Sequence, residues 1–125
     1  MKKFALPLAL TFLFAAGQAW AHADHLKPQF GGVTAEADLF QVELVFKGAQ
    51  VMIYLTEHGA PVESAGATGK LIVLAGKDKE EVDLTPNGYQ TLGAKLKAKP
   101  GKGAKLVATI TVPGKGTGNA RLTLK

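Results

Sequence analysis

Three histidines, His22, His25 and His58, carry the metal-binding chemistry of this sequence. Asp24 stands between the first two and Glu57 directly precedes the third. Imidazole and carboxylate donors in this mixture suit copper(II) or zinc. If an export signal is cut after Ala21, His22 becomes the first residue, and its free amine and imidazole chelate from one residue. The α-amino pKa lies at about 7.7–8.0, so a metal ion displaces its proton near neutrality. A cut after Ala23 places His25 second, where amine, amide nitrogen and imidazole still form a copper site. The chain has no cysteine, and Met52 is the sole methionine beyond the initiator, which argues against a soft thiolate or thioether site for copper(I).

Other chemistries find little support. Ser64 is the single serine and sits in a Glu-Ser-Ala-Gly segment without a nucleophile-elbow pattern. The ten acids are scattered at strand ends, and no pair is placed for glycoside hydrolysis. The expectation is a protein that is not an enzyme. Fifteen Lys+Arg against ten Asp+Glu give a formal charge of +5. Loss of Lys2 and Lys3 with a leader lowers it to +3. The lysines are spread singly and not interleaved with aromatics, so nucleic-acid binding is not expected. The run Lys95, Lys97, Lys99, Lys102 and Lys105 reads as a solvent face or turn, since lysine on exposed strands discourages edge pairing.

These residues must be positioned by a small exported domain. Residues 1–21, with 23 as the alternative end, read as a signal peptide. Lys2-Lys3 precede an apolar run from Phe4 to Ala16, and the small-residue patterns Ala19-Trp20-Ala21 and Ala21-His22-Ala23 follow. The run is shorter than the ~20 residues a bilayer needs, so no membrane span is expected after cleavage. The look of the leader is bacterial, which places the product in the periplasm or outside the cell. Residues 22–32 form a polar arm with Pro28 and Gly31-Gly32, and the glycine pair reads as a tight bend or bulge leading into the first strand.

Beyond the arm the period is two. Phe40, Val42, Leu44 and Phe46 alternate with Gln41, Glu43, Val45 and Lys47. Val51, Ile53 and Leu55 alternate with Met52, Tyr54 and Thr56, and Lys47-Gly48-Ala49-Gln50 joins the two runs as a hairpin. Glu57-His58-Gly59-Ala60-Pro61 is punctuation. Further strands are expected at Lys70–Ala75, Glu81–Leu84 (closed by Pro86-Asn87-Gly88), Tyr89–Ala98, Lys105–Val112 and Ala120–Leu124. Seven or eight short strands with regular turn signals predict an all-β domain over 33–125. The expected form is an antiparallel, immunoglobulin-like β-sandwich, with a small barrel as second choice.

The arm His22-Ala23-Asp24-His25-Leu26-Lys27-Pro28-Gln29-Phe30-Gly31-Gly32-Val33, with Ala35-Glu36-Ala37 and Phe40-Gln41-Val42-Glu43-Leu44, resembles a family of small exported bacterial proteins. These open with a His-rich arm and a Pro-x-His-Gly-Gly-Val signature, and are related to the front segment of periplasmic adaptor subunits of heavy-metal efflux pumps. Ile53-Tyr54-Leu55-Thr56-Glu57-His58-Gly59-Ala60-Pro61-Val62 is similar to the same family's strand and turn. The likeness spans roughly residues 22–84. It implies a periplasmic β-sandwich in copper or zinc homeostasis, associated with efflux. Phe30 stands where the signature has histidine, which removes one candidate ligand.

Two functions follow. The first is a non-catalytic, efflux-associated protein that holds copper(II) or zinc through His22, Asp24 and His25, with Glu57 and His58 as further ligands, and passes the ion to a periplasmic adaptor. The second is a metal-free module that binds another cell-envelope protein through an edge strand or its lysine face.

Overall fold

The computed structural model describes residues 26–125. The leader 1–21 with its alternative end at 23, and the arm ligands His22, Asp24 and His25, lie outside the described residues.

Nine strands follow in order: β1 (Val33–Glu36), β2 (Gln41–Lys47), β3 (Gln50–Glu57), β4 (Ala60–Pro61), β5 (Thr68–Ala75), β6 (Asp78–Gly88), β7 (Thr91–Lys95), β8 (Lys105–Val112) and β9 (Gly116–Thr123). All pairings are antiparallel, in the spatial order β1-β2-β3-β7-β6-β5-β8-β9, with β4 attached to β3.

This corrects the expected immunoglobulin-like sandwich: the strands make one continuous, nearly closed barrel. The reason is β6, which is longer than its apolar pattern indicates. Its first part pairs with β5 from Asp78↔Ala75 to Leu84↔Gly69. Its last part pairs with β7 at Thr85↔Gly93 and Pro86↔Leu92. One strand thus welds together what the sequence presents as two halves. Pro86 does not end the strand as its residue type suggests. Past Leu84, β6 is paired on one side only, the setting in which a strand admits proline, and the register shifts between Pro86 and Gly88.

The barrel approaches closure where β9 meets the segment after β1. Gly118 packs so tightly on the backbone of Ala37 that a Cβ there would stand 1.9 Å from the Ala37 carbonyl oxygen. The Asn119 N–H donates to Asp38 Oδ2 at 3.0 Å. At the other end of this seam β1 and β9 part, and Val33, Thr34, Thr123 and Lys125 line an opening of about 340 Å³.

Alternation fills the interior as expected from the period of two. Phe40, Val42 and Leu44 face inward with Val51, Ile53 and Leu55, and meet Leu71, Leu92, Leu106 and Ile110. The expected hairpin at 47–50 is present, with Lys47 paired to Gln50. The short strand β1 directly follows Gly31-Gly32, and β4 lies in a segment whose sequence reads as punctuation. Each is held by its neighbour's ladder more than by its own apolar content.

Candidate functional site

The last seven residues of the arm are fastened to the outer wall of the barrel. Gln41 and Glu43 alternate outward from β2, yet both are buried. The arm explains Glu43. Its carboxylate, only 5 % exposed, receives three backbone N–H groups: Gln29 on Oε1 at 2.8 Å, and Phe30 and Gly32 on Oε2 at 2.8 and 2.7 Å. A buried carboxylate needs such donors, and charge-assisted bonds of this kind are stronger than neutral ones. Gly31 (φ 79°) makes the bend that turns three donors toward one acid. Gly32 has no room for a side chain: a Cβ would lie 2.2 Å from the Leu44 carbonyl oxygen.

Two further contacts flank this clamp. The Phe30 ring stacks on Tyr54 at a centroid distance of 3.8 Å and an interplanar angle of 11°. Tyr54 is the residue opposite Glu43 on β3. On the other side, Thr34 is opposite Glu43 on β1, and its Oγ1 donates to the Leu26 carbonyl at 2.5 Å. The row Thr34–Glu43–Tyr54 is therefore the seat of the arm. Phe30 is a packing residue here.

His58 and Glu57 occupy the β3–β4 hairpin. Glu57 pairs with Ala60, so His58 and Gly59 form a two-residue turn with φ of 52° and 87°. Positive φ at both positions is the geometry such tight hairpins prefer. The His58 N–H donates to Gln41 Oε1 at 2.9 Å, and Gln41 Nε2 donates to Glu36 Oε1 at 3.1 Å. Thr34 and Glu36 are two residues apart on one face of β1, about 7 Å. The hairpin thus connects to the wall that carries the arm.

Glu57 is engaged elsewhere. Its Oε1 accepts a hydrogen bond from Lys115 Nζ, on the β8–β9 turn. That hydrogen bond, and then the lysine charge, hold the Glu57 carboxyl below its usual range. A metal would have to displace this ammonium to use Glu57. Among the described residues no group of three or more His, Cys, Asp or Glu side chains is placed to hold a metal ion. Any three-ligand site must draw on residues before 26.

The sequence reading overlooked Glu43 as more than an outward strand residue. A signal was present: an acid in mid-strand, at a position that ordinary alternation exposes, in a chain with an upstream Gly-Gly bend. Ser64, set aside as a nucleophile, is 1 % exposed and donates to the Gly88 carbonyl at 2.6 Å. It fastens the β4–β5 connection to the end of β6.

Comparison with protein-family models finds no match. Comparison with curated proteins finds none, and none of the solved structures matches.

Proposed function

We propose that this is an exported, non-catalytic metal-handling protein that takes up copper(II) or zinc at its N-terminal arm, with His22, Asp24 and His25 as ligands. It buffers the ion in the periplasm or hands it to an efflux adaptor. The observation that supports this reading is the Glu43 clamp. It anchors the chain from Gln29 to Gly32, so the histidine-bearing segment grows from a fixed root on the barrel wall. His25 is one peptide bond from Leu26, whose carbonyl rests on Thr34. The resemblance of the arm to efflux-associated proteins points the same way. Of the hairpin residues, His58 is the one whose position toward the arm's wall favours a supporting role, because Glu57 is committed to Lys115.

The test is calorimetric titration of copper(II) and of zinc into the exported chain and into its His22→Ala/His25→Ala double variant. Stoichiometric binding that disappears in the double variant is the expected result. Equal uptake by both chains, or none by the parent, refutes the arm as the metal site.

One observation favours the second reading, a module that binds an envelope protein. The seam between β1 and β9 is open beside Val33 and Thr123, and unpaired strand edges there could accept an extended segment from a partner. Under that reading the His22→Ala/His25→Ala variant still captures the partner.

A further inference from the structure

The fold sorts charge to the two ends of the barrel. Lys47 ends β2 at the β2–β3 turn, Lys77 lies in the β5–β6 turn, and Lys79 follows it at the start of β6. The long β7–β8 connection carries Lys97, Lys99 and Lys102 between Lys95 and Lys105, and the chain ends at Lys125. These segments are far apart in sequence but meet at one rim. The Leu96 N–H donates to the Ala49 carbonyl at 2.8 Å, and the Gly103 N–H to the Leu124 carbonyl at 2.7 Å. The Lys97 N–H donates to Glu80 Oε2 at 2.9 Å. Nine of the thirteen cationic side chains that follow residue 21 therefore crown one end.

All nine lysines are exposed. None of their ammonium groups forms an ion pair with a described residue; the ion pairs there are made by Lys70 and Lys115. Among the described residues the acids at this rim are Asp78 and Glu80, and Glu80 already accepts the Lys97 N–H. The opposite end carries Glu36, Asp38, Glu57 and Glu63, with Lys115 tied to Glu57. The modest net charge of the chain conceals this polarity.

We propose that the lysine rim is a docking surface for an anionic lipid membrane. Three features select this partner. First, the charges surround the rim and do not track a groove, which matches a plane of phosphates. Second, all are lysine, a point charge on a flexible stem, which suits mobile headgroups better than the fixed bidentate contacts that arginine makes. Third, the large exposed apolar side chains among the described residues are Phe30, Val33, Leu39, Leu74 and Tyr89; Val33 lies toward this end beside Lys125, and Leu74 stands among the lysines themselves. It lies between Lys79 and Lys105 on the neighbouring strands. No exposed ring is present there, among the described residues, to stack on nucleic-acid bases, whereas an aliphatic side chain among lysines can enter the headgroup boundary. Beside it a concavity of about 460 Å³ is lined by Lys79, Lys97 and Lys99 together with Asp78 and Glu80.

The test is co-sedimentation of the exported chain with phosphatidylcholine vesicles containing about one-third phosphatidylglycerol, and with pure phosphatidylcholine. At low salt the anionic vesicles should bind the protein and the neutral ones should not, with release at about 0.5 M salt. Each rim lysine near the surface is worth about fivefold in binding. Lys97→Gln/Lys99→Gln/Lys102→Gln should therefore weaken it by about a hundredfold. Lys47→Gln/Lys125→Gln, on other segments, guards against a folding defect in the loop and should weaken it by about twenty-five-fold. Arg121→Gln, on the wall, should leave it within twofold. The proposal is overturned if the parent chain fails to prefer anionic vesicles. It is also overturned if Arg121→Gln weakens binding as much as the rim variants do. Tighter binding to polyglutamate or to a single-stranded oligonucleotide than to the vesicles would assign the rim to another polyanion and overturn the membrane proposal.

Discussion

The Glu43→Gln substitution changes one atom and removes the clamp's charge. In the parent, Oε2 serves Phe30 and Gly32 while Oε1 serves Gln29. The amide introduced by Glu43→Gln can keep its oxygen toward the first pair, but its NH₂ then faces the Gln29 N–H, donor against donor. One bond is lost and the others become neutral. Hydrogen bonds to a charged group contribute about 1.5–3 kcal/mol and neutral ones about 0.5–1.5; the lost bond alone makes release of the arm easier by about 2 kcal/mol, and the two weakened bonds add to this lower bound. The cost stays local, because the detached N–H groups find water and the β2–β3 ladder does not pass through the Glu43 side chain. Amide hydrogen exchange followed by NMR reads this directly. Exchange at Gln29, Phe30 and Gly32 should accelerate by at least about thirtyfold, the rate equivalent of that lower bound, while Ile53 and Leu55 keep their protection. Unchanged exchange at the three arm amides would refute the clamp. Equal acceleration throughout β2 and β3 would show that Glu43 supports the whole barrel instead.

Gly118→Ala should destabilise the barrel by about 2–4 kcal/mol, because its Cβ meets the backbone of Ala37 and the seam must open. Gly101→Ala, which meets nothing within 4 Å, should stay within about 0.5 kcal/mol in the same urea titrations. His58→Asn should raise stability by about 0.5 kcal/mol, since Asn-Gly is the favoured pair for a turn with two positive φ values; a loss of metal uptake in this variant would make His58 a ligand. The Glu57–Lys115 contact has a definite pH sense. The folded-state pKa of Glu57 is depressed, so the contact's stabilisation is present above the ordinary glutamate range and is lost as pH falls through the lowered value. NMR titration of the Glu57 carboxyl should show the low midpoint, and Lys115→Ala should return it to the usual range; an unmoved midpoint would contradict the pairing as its cause.

The inward faces of β2, β3 and β8 were legible because single alternation fixes which side of a strand meets the core. The closure of the sheet was not. It depends on β6 continuing through Pro86 and on Gly118 approaching Ala37, and both residue types read locally as breaks in structure. The same limit hid the lysine rim. Alternation correctly exposes Lys95, Lys97 and Lys105, but only the topology brings Lys47, Lys77 and Lys125 to the same end. For the arm, Gly31-Gly32 announced a bend into the first strand, and that bend is present. What the bend is for depended on Glu43, a contact 11–14 residues away in sequence, which spacing alone does not reveal.

The metal account stands or falls on native mass spectrometry of the protein exported with its own leader, recorded with and without copper(II) and zinc. The account predicts a chain beginning at His22 that carries one metal ion, and a His22→Ala/His25→Ala chain that carries none. A chain with no adduct at micromolar metal would contradict it.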